Sequence, residues 1–159
     1  MSLSIEQLER FAEALAAAPE RWRHLVRHDD TRVYEQIWDD RHVNAWLICW
    51  SQDSDTGFHD HDDSAAGITV VSGSVREDRL TLGGVGGANS RELGAGTTFT
   101  VPPTAIHRVL HAGEGPAVTI HAYSPPLRRM GAYRVGAHGE LERESQPFER
   151  ELGAGLALA

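Results

Sequence analysis

Gly57-Phe58-His59-Asp60-His61 sets two histidines one residue apart directly after a glycine. In an extended strand residues i and i+2 face the same side, so His59 and His61 present both imidazoles to one point. Taken alone, the triplet reads either as half of a metal site or as a polar turn with exposed rings. Further along, Gly96-Thr97-Thr98-Phe99-Thr100-Val101-Pro102-Pro103-Thr104-Ala105-Ile106-His107 reads as a strand ending in a proline turn that returns a third histidine to the sheet.

Short β-type runs surround these segments, at residues 32–38, 43–50, 68–72, 74–82, 97–101, 107–111 and 117–123, with weaker candidates at 133–135 and 140–142. That many short strands separated by turn residues predicts a sandwich or barrel. Residues 83–90 form a glycine-rich loop that lacks the lysine of a phosphate-binding loop. Ahead of the strands, Ser4 and Gln7 have capping-box spacing, and Leu8, Phe11 and Leu15 recur at helical period up to Pro19. A second short helix is predicted with Trp22, Leu25 and Val26 on its apolar side, ending near His28. One all-β domain with N-terminal helices is therefore expected: a helical segment at 1–30 packed on a barrel at 31–145, and a tail at 146–159.

With 159 residues the chain can bury a core without disulfides, and its single cysteine, Cys49, has no partner within it. A net charge of −8 would repel a phosphate backbone, so nucleic acid is not an expected partner. No apolar run approaches the roughly 20 residues of a membrane span, and the first residues lack an export signal, so a cytoplasmic protein is expected. Arg76-Glu77-Asp78-Arg79 and Glu140-Leu141-Glu142-Arg143-Glu144 alternate charge in the manner of a solvated surface. His24, His28, His42 and His138 read as surface groups and His111 as a strand-end polar residue. Trp22, Trp38, Trp46 and Trp50 read as core and pocket wall.

The order Gly57, His59, His61, Gly73, Gly96, Pro102, His107 resembles the paired motifs of the cupin superfamily. A glutamate usually follows the first motif there, whereas this chain runs Asp62-Asp63-Ser64-Ala65-Ala66. That departure is similar to the thiol dioxygenases related to cysteine dioxygenase. So are Leu47-Ile48-Cys49-Trp50, Asp63-Ser64, Ile106-His107-Arg108-Val109 and Thr119-Ile120-His121-Ala122-Tyr123-Ser124-Pro125-Pro126, within a resemblance that spans about residues 34–130.

The resemblance implies a single jelly-roll cupin barrel in which His59, His61 and His107 hold Fe(II), with a small thiol and O2 as partners and a sulfinate as product. Three neutral imidazoles leave the site one unit more positive than the commoner two-histidine, one-carboxylate set, which favours an anionic thiolate. Iron can pass an electron to O2; zinc on the same ligands would activate water, and the residues alone leave both open. Thr119, His121 and Tyr123 alternate along one strand face. The resemblance makes them a catalytic relay, with Ser124-Pro125 as the family's cis-proline turn.

Where cysteine-specific members carry an arginine for the substrate carboxylate, this chain has Gln36, which can hydrogen-bond a carboxylate but adds no charge. Arg32, Arg41, Arg128 and Arg129 stay open as alternative partners. Ala66 lies near the cysteine that some members cross-link to the tyrosine, so no thioether is expected, and small Ala65, Ala66 and Gly67 would admit a bulkier thiol. A noncatalytic ligand-binding cupin and a cupin enzyme with a different metal are the competing expectations. The assembly is expected to be a monomer or a small homo-oligomer.

Overall fold

The computed structural model describes residues 1–81 and 88–148. Helix α1 (Ile5–Ala16) opens on the predicted capping box: Ser4 Oγ accepts from Gln7 N at 3.2 Å, and Gln7 Oε1 accepts from Ser4 N at 2.8 Å. The predicted second helix is instead two single 3-10 turns, Pro19–Arg21 and Arg23–Leu25. Trp22 sits between them at φ −138°, outside helical space, and its indole N–H donates to Leu15 O at 3.0 Å. The tryptophan thus caps a carbonyl at the end of α1 rather than extending a helix of its own.

Eleven strands follow among the described residues: β1 (Val33–Asp39), β2 (Asn44–Trp50), β3 (His59–Asp60), β4 (Ala65–Ser72), β5 (Ser74–Leu80), β6 (Ala88–Gly94), β7 (Thr98–Val101), β8 (His107–Ala112), β9 (Ala117–Ser124), β10 (Arg129–Val135) and β11 (Leu141–Pro147). They form a five-stranded sheet in the order β1-β2-β9-β4-β7 and a six-stranded sheet in the order β11-β10-β3-β8-β5-β6. Trp46, Ile48, Trp50, Ile68, Val70 and Tyr123 of the first sheet share one core with Val75, Leu93, Val109 and Met130 of the second. This is the cupin jelly roll, a double-stranded β-helix closed around a packed interior.

The apolar run of β2 is buried on both faces. Ala45, Leu47 and Cys49 point outward and pack with Leu8, Ala12 and Leu15, so α1 covers the outer face of the five-stranded sheet. Approach is close at Gly67, where a Cβ would lie 2.8 Å from Leu8 O. Gly73, at φ +68°, makes the β4–β5 turn.

Three further expectations change. Ala88–Ser90 of the predicted loop belong to β6, and residues 82–87 lie outside the described residues. The last two strands are longer than their composition suggested because they pair along their whole length, so β11 runs through Pro147, and 149–159 of the predicted tail lie outside the described residues. Arg76-Glu77-Asp78-Arg79 is not a solvated surface: Glu77 and Asp78 are 1% and 2% exposed. Strand alternation sends the two carboxylates to opposite faces, and each is surrounded by donors that offset its desolvation. Asp78 takes Arg76, Arg108 and Ser90, while Glu77 takes Arg79, Arg91 and His107.

A candidate metal centre inside the barrel

His59 and His61 come from β3 and the residue just beyond it, and His107 opens β8, where it pairs in register with His59. The sheet thus joins histidines that lie far apart in the chain, and the rings sit with centroids 4.6–5.0 Å apart. All three are buried. His61 Nε2 lies 3.1 Å from His59 Nε2 and 3.3 Å from His107 Nε2. Nitrogens each about 2.1 Å from one ion would be separated by about 3.0–3.4 Å, so this spacing suits a shared cation.

The outward nitrogens decide which inward ones carry lone pairs. His59 Nδ1 faces Gly57 O at 3.0 Å and His107 Nδ1 faces Glu77 Oε1 at 3.1 Å. Both partners can only accept, so both Nδ1 atoms are protonated and both Nε2 atoms point lone pairs inward. His61 Nδ1 is buried with no hydrogen-bond partner among the described residues, which leaves its ring oriented by packing and by whatever its Nε2 meets. A cation is the group that satisfies this convergence of lone pairs. Burial, followed by the His107 charge at His59 and the His59 charge at His61, holds these two histidines well below their usual pKa. Burial also lowers His107, with Glu77 pulling the other way. All three are therefore neutral ligands at neutral pH, and binding requires no proton to leave them.

The middle residue of the triplet faces the opposite way and anchors it. Asp60 accepts from Arg143 Nε at 2.7 Å and Arg143 Nη2 at 2.9 Å, from Tyr133 Oη at 2.5 Å, and from Gly131 N at 3.1 Å. Arg143 also binds Asp62. Although burial opposes it, the Arg143 and Tyr133 bonds hold the Asp60 carboxyl far below the usual carboxylate range. The two-residue strand β3 is thus tied by a charged latch to the β10–β11 hairpin. Neither Arg143 nor Tyr133 was identifiable in advance, because a charge run on a hairpin does not reveal which strand it will meet.

Beside the histidines, β9 carries the predicted series. Thr119, His121 and Tyr123 are 0%, 4% and 1% exposed. His121 Nε2 lies 2.8 Å from Thr119 Oγ1, and His121 Nδ1 lies 3.2 Å from Tyr123 Oη. Trp50 extends the series, its indole N–H donating to Thr119 Oγ1 at 2.8 Å. Thr119 Oγ1 takes the Trp50 N–H and can still give or accept a proton, as can Tyr123 Oη, so His121 bridges two hydroxyls through its two ring nitrogens. Burial first, then the charges of His107 and Arg32, lower the His121 pKa to about 3, so the ring is neutral. The Tyr123 ring meets His61 edge-on at 5.1 Å, which puts the end of the series against the three-histidine cluster.

Gln36 pairs in register with inward-facing Trp46 but is exposed. Of the alternative cations, Arg41, Arg128 and Arg129 are exposed, whereas Arg32 is 6% exposed with its guanidinium 5.3 Å from the Trp50 ring centroid. Ala66 pairs with Tyr123 and faces the inner core. Ala65 and Gly67 instead face the α1 side, so they do not enlarge the interior as expected; alternation leaves Ala66 alone of the three pointing inward. Cys49 lies in the outer core, across the sheet from Tyr123. The Ser124–Pro125 bond is cis. His111 bonds Gly115 O at 2.6 Å at the far end of β8, apart from the three-histidine cluster.

Fold and site together define a cupin whose barrel buries three imidazoles arranged so that they could hold one metal ion. The solved structures it resembles include an uncharacterized conserved protein with a double-stranded beta-helix domain from Klebsiella pneumoniae, at 17% identity and TM-score 0.55 over 65% of this chain and 80% of that one. KdgF from Halomonas sp. matches at 17% identity and TM-score 0.53 over 63% and 84%. Residues 2–135 match the family model of cysteine dioxygenase type I, and the chain belongs to that family. Cysteine dioxygenase type 1 from Danio rerio is 24% identical over 153 residues, covering 89% of this chain and 76% of that protein. The Rattus norvegicus protein is 24% identical over 163 residues, covering 95% and 80%.

Proposed function

We propose that this protein is an iron-dependent thiol dioxygenase, converting a small thiol to its sulfinate with both oxygen atoms drawn from O2. The observation that carries this reading is the convergence of three neutral imidazole nitrogens in a barrel whose interior also buries the Thr119–His121–Tyr123 series. His59, His61 and His107 would hold Fe(II), which when bound supplies an electron to O2 and a positive centre for a thiolate.

The chain supplies the surroundings. Its three ligands bring no negative charge of their own, so an anionic sulfur is attracted rather than opposed. Trp46, Trp50 and Met130 line a water-poor interior in which charge interactions are strengthened. The hydrogen bond between His121 and the Tyr123 oxygen fixes the phenol beside the three imidazoles, where it serves as the proton donor. Ala66 leaves the wall next to Tyr123 small. Gln36, on the strand face shared with Trp46, is the hydrogen-bonding partner for a substrate carboxylate, and Arg32, four residues earlier, adds positive potential from the same side.

Anaerobic loading with Fe(II), followed by oxygen-electrode assays against a panel of amino thiols and thiol carboxylates, tests the reading. One O2 consumed per sulfinate formed is expected for at least one thiol. Iron-loaded protein that consumes no oxygen with any thiol would falsify it, and turnover with zinc but not iron would favour a hydrolytic metal enzyme. For Gln36→Arg, preference among thiols should move toward cysteine, read as the ratio of kcat/KM values. An unchanged ranking removes Gln36 from carboxylate recognition.

A further inference from the structure

The three imidazoles are not held alike. His59 donates its outer N–H to a neutral carbonyl, His61 has no described partner for its outer nitrogen, and His107 donates to a carboxylate. That carboxylate, Glu77, is 1% exposed and has no place in the scheme above. Its Oε1 takes Arg79 Nη2 at 2.7 Å as well as His107 Nδ1, and its Oε2 takes Arg91 Nε at 2.8 Å. Both arginines are fixed in turn, Arg79 by donating to Thr100 O at 2.9 Å and Arg91 by lying 5.1 Å from the Phe99 ring centroid.

We propose that Glu77 is a positioning residue for the metal centre, making His107 the strongest of the three donors and setting the affinity for the ion. The proposal rests on the metal reading above. An imidazole that gives its N–H to an anion is a better base at its other nitrogen, and it is locked in the tautomer that turns that nitrogen inward. The first coordination shell lacks a carboxylate, and Glu77 supplies one a ring further out. Both carboxyl oxygens of Glu77 accept from N–H groups of guanidiniums, Oε1 from Arg79 and Oε2 from Arg91, an arrangement that suits the carboxylate as the form that meets His107. Two guanidiniums against one carboxylate leave the cluster cationic, so the donor strength of His107 rises without the site losing its attraction for a thiolate.

Glu77→Gln keeps the size and a carbonyl acceptor but removes the charge. Asp78→Asn is the matched control: it neutralises an equally buried, arginine-bound carboxylate on the opposite face of β5. Metal-free proteins would be titrated with Co(II) against a competing chelator, with urea unfolding recorded alongside. Glu77→Gln is expected to weaken Co(II) about 10–100-fold, and Asp78→Asn to lower stability while leaving affinity within about twofold. Glu77→Gln binding as tightly as the parent, or Asp78→Asn losing as much as Glu77→Gln, overturns the proposal. A parent protein that binds no Co(II) overturns the metal reading and this inference together, whereas tight parent binding with an unaffected Glu77→Gln removes only the latter. Should Glu77→Gln fail to fold, proton NMR of the Zn(II)-loaded parent decides: His107 Nδ1–H should resonate well downfield of the His59 signal, and coincident signals count against the role.

Discussion

His107→Ala should leave the protein folded and without stoichiometric iron. Two imidazoles, one from β3 and one from the residue just beyond it, then remain, and β8 no longer contributes a ligand. Two neutral nitrogens without the third do not fill one face of a coordination sphere, so an ion that survives gel filtration in the parent should be lost from the variant. Glu77 loses its N–H partner but keeps both arginines, so its charge stays compensated. The missing ring leaves a cavity of the kind that costs about 2–4 kcal/mol, which a domain of this size tolerates. Metal analysis of the purified variant, with a thermal melt to establish folding, is the measurement. Full iron content in folded His107→Ala would sink the ligand assignment, and thiol-dependent oxygen uptake should disappear with the metal.

Tyr123→Phe separates chemistry from metal binding. The ring packs against Trp46 at 5.7 Å and His61 at 5.1 Å, and phenylalanine keeps both contacts, so iron content should match the parent. What goes is one oxygen, which is hydrogen-bonded to His121 on a ring that packs against His61. A positioned proton donor typically contributes about 10²–10⁴-fold to a rate, so kcat should fall by at least about 10²-fold. Oxygen consumed per sulfinate formed should rise above one as reduced oxygen escapes without reaching sulfur. Paired oxygen-electrode and mass-spectrometric assays read both quantities, and a parent-like rate with parent-like coupling would remove Tyr123 from the reaction. His121 Nδ1 would be left buried without its partner, costing about 1–3 kcal/mol, which a urea titration can resolve.

The His59–His61 pair and the β9 series were legible because each follows from local geometry, whereas His107 joined them through the resemblance of the motif order to the cupin superfamily. Period-two spacing puts His59 with His61, and Thr119 with His121 and Tyr123, on common faces before any strand is paired. The capping box at Ser4 and the turn at Gly73 are equally local. Glu77 was misread for the converse reason. Within Arg76-Glu77-Asp78-Arg79 every charge has an opposite neighbour, so the run looks self-sufficient; only pairing of β5 with β6 and β8 brings Arg91, Arg108 and His107 to the two carboxylates and takes both out of water. Arg143 was hidden in the same way, since its partner Asp60 lies 83 residues away in the chain.

The sequence by itself determined a domain of short strands with His59 and His61 on one face, because strand period and turn residues act over a few residues at a time, and the resemblance of its motif order to the cupin superfamily added the barrel and His107. Tertiary structure alone decided how those histidines are held: His59 on a carbonyl, His61 by packing, His107 on an ionised Glu77, and the whole short strand on Arg143. The physical reason is that a buried charge is stable only beside its partners, and those partners come from strands whose adjacency is fixed by the closed sheet rather than by the chain.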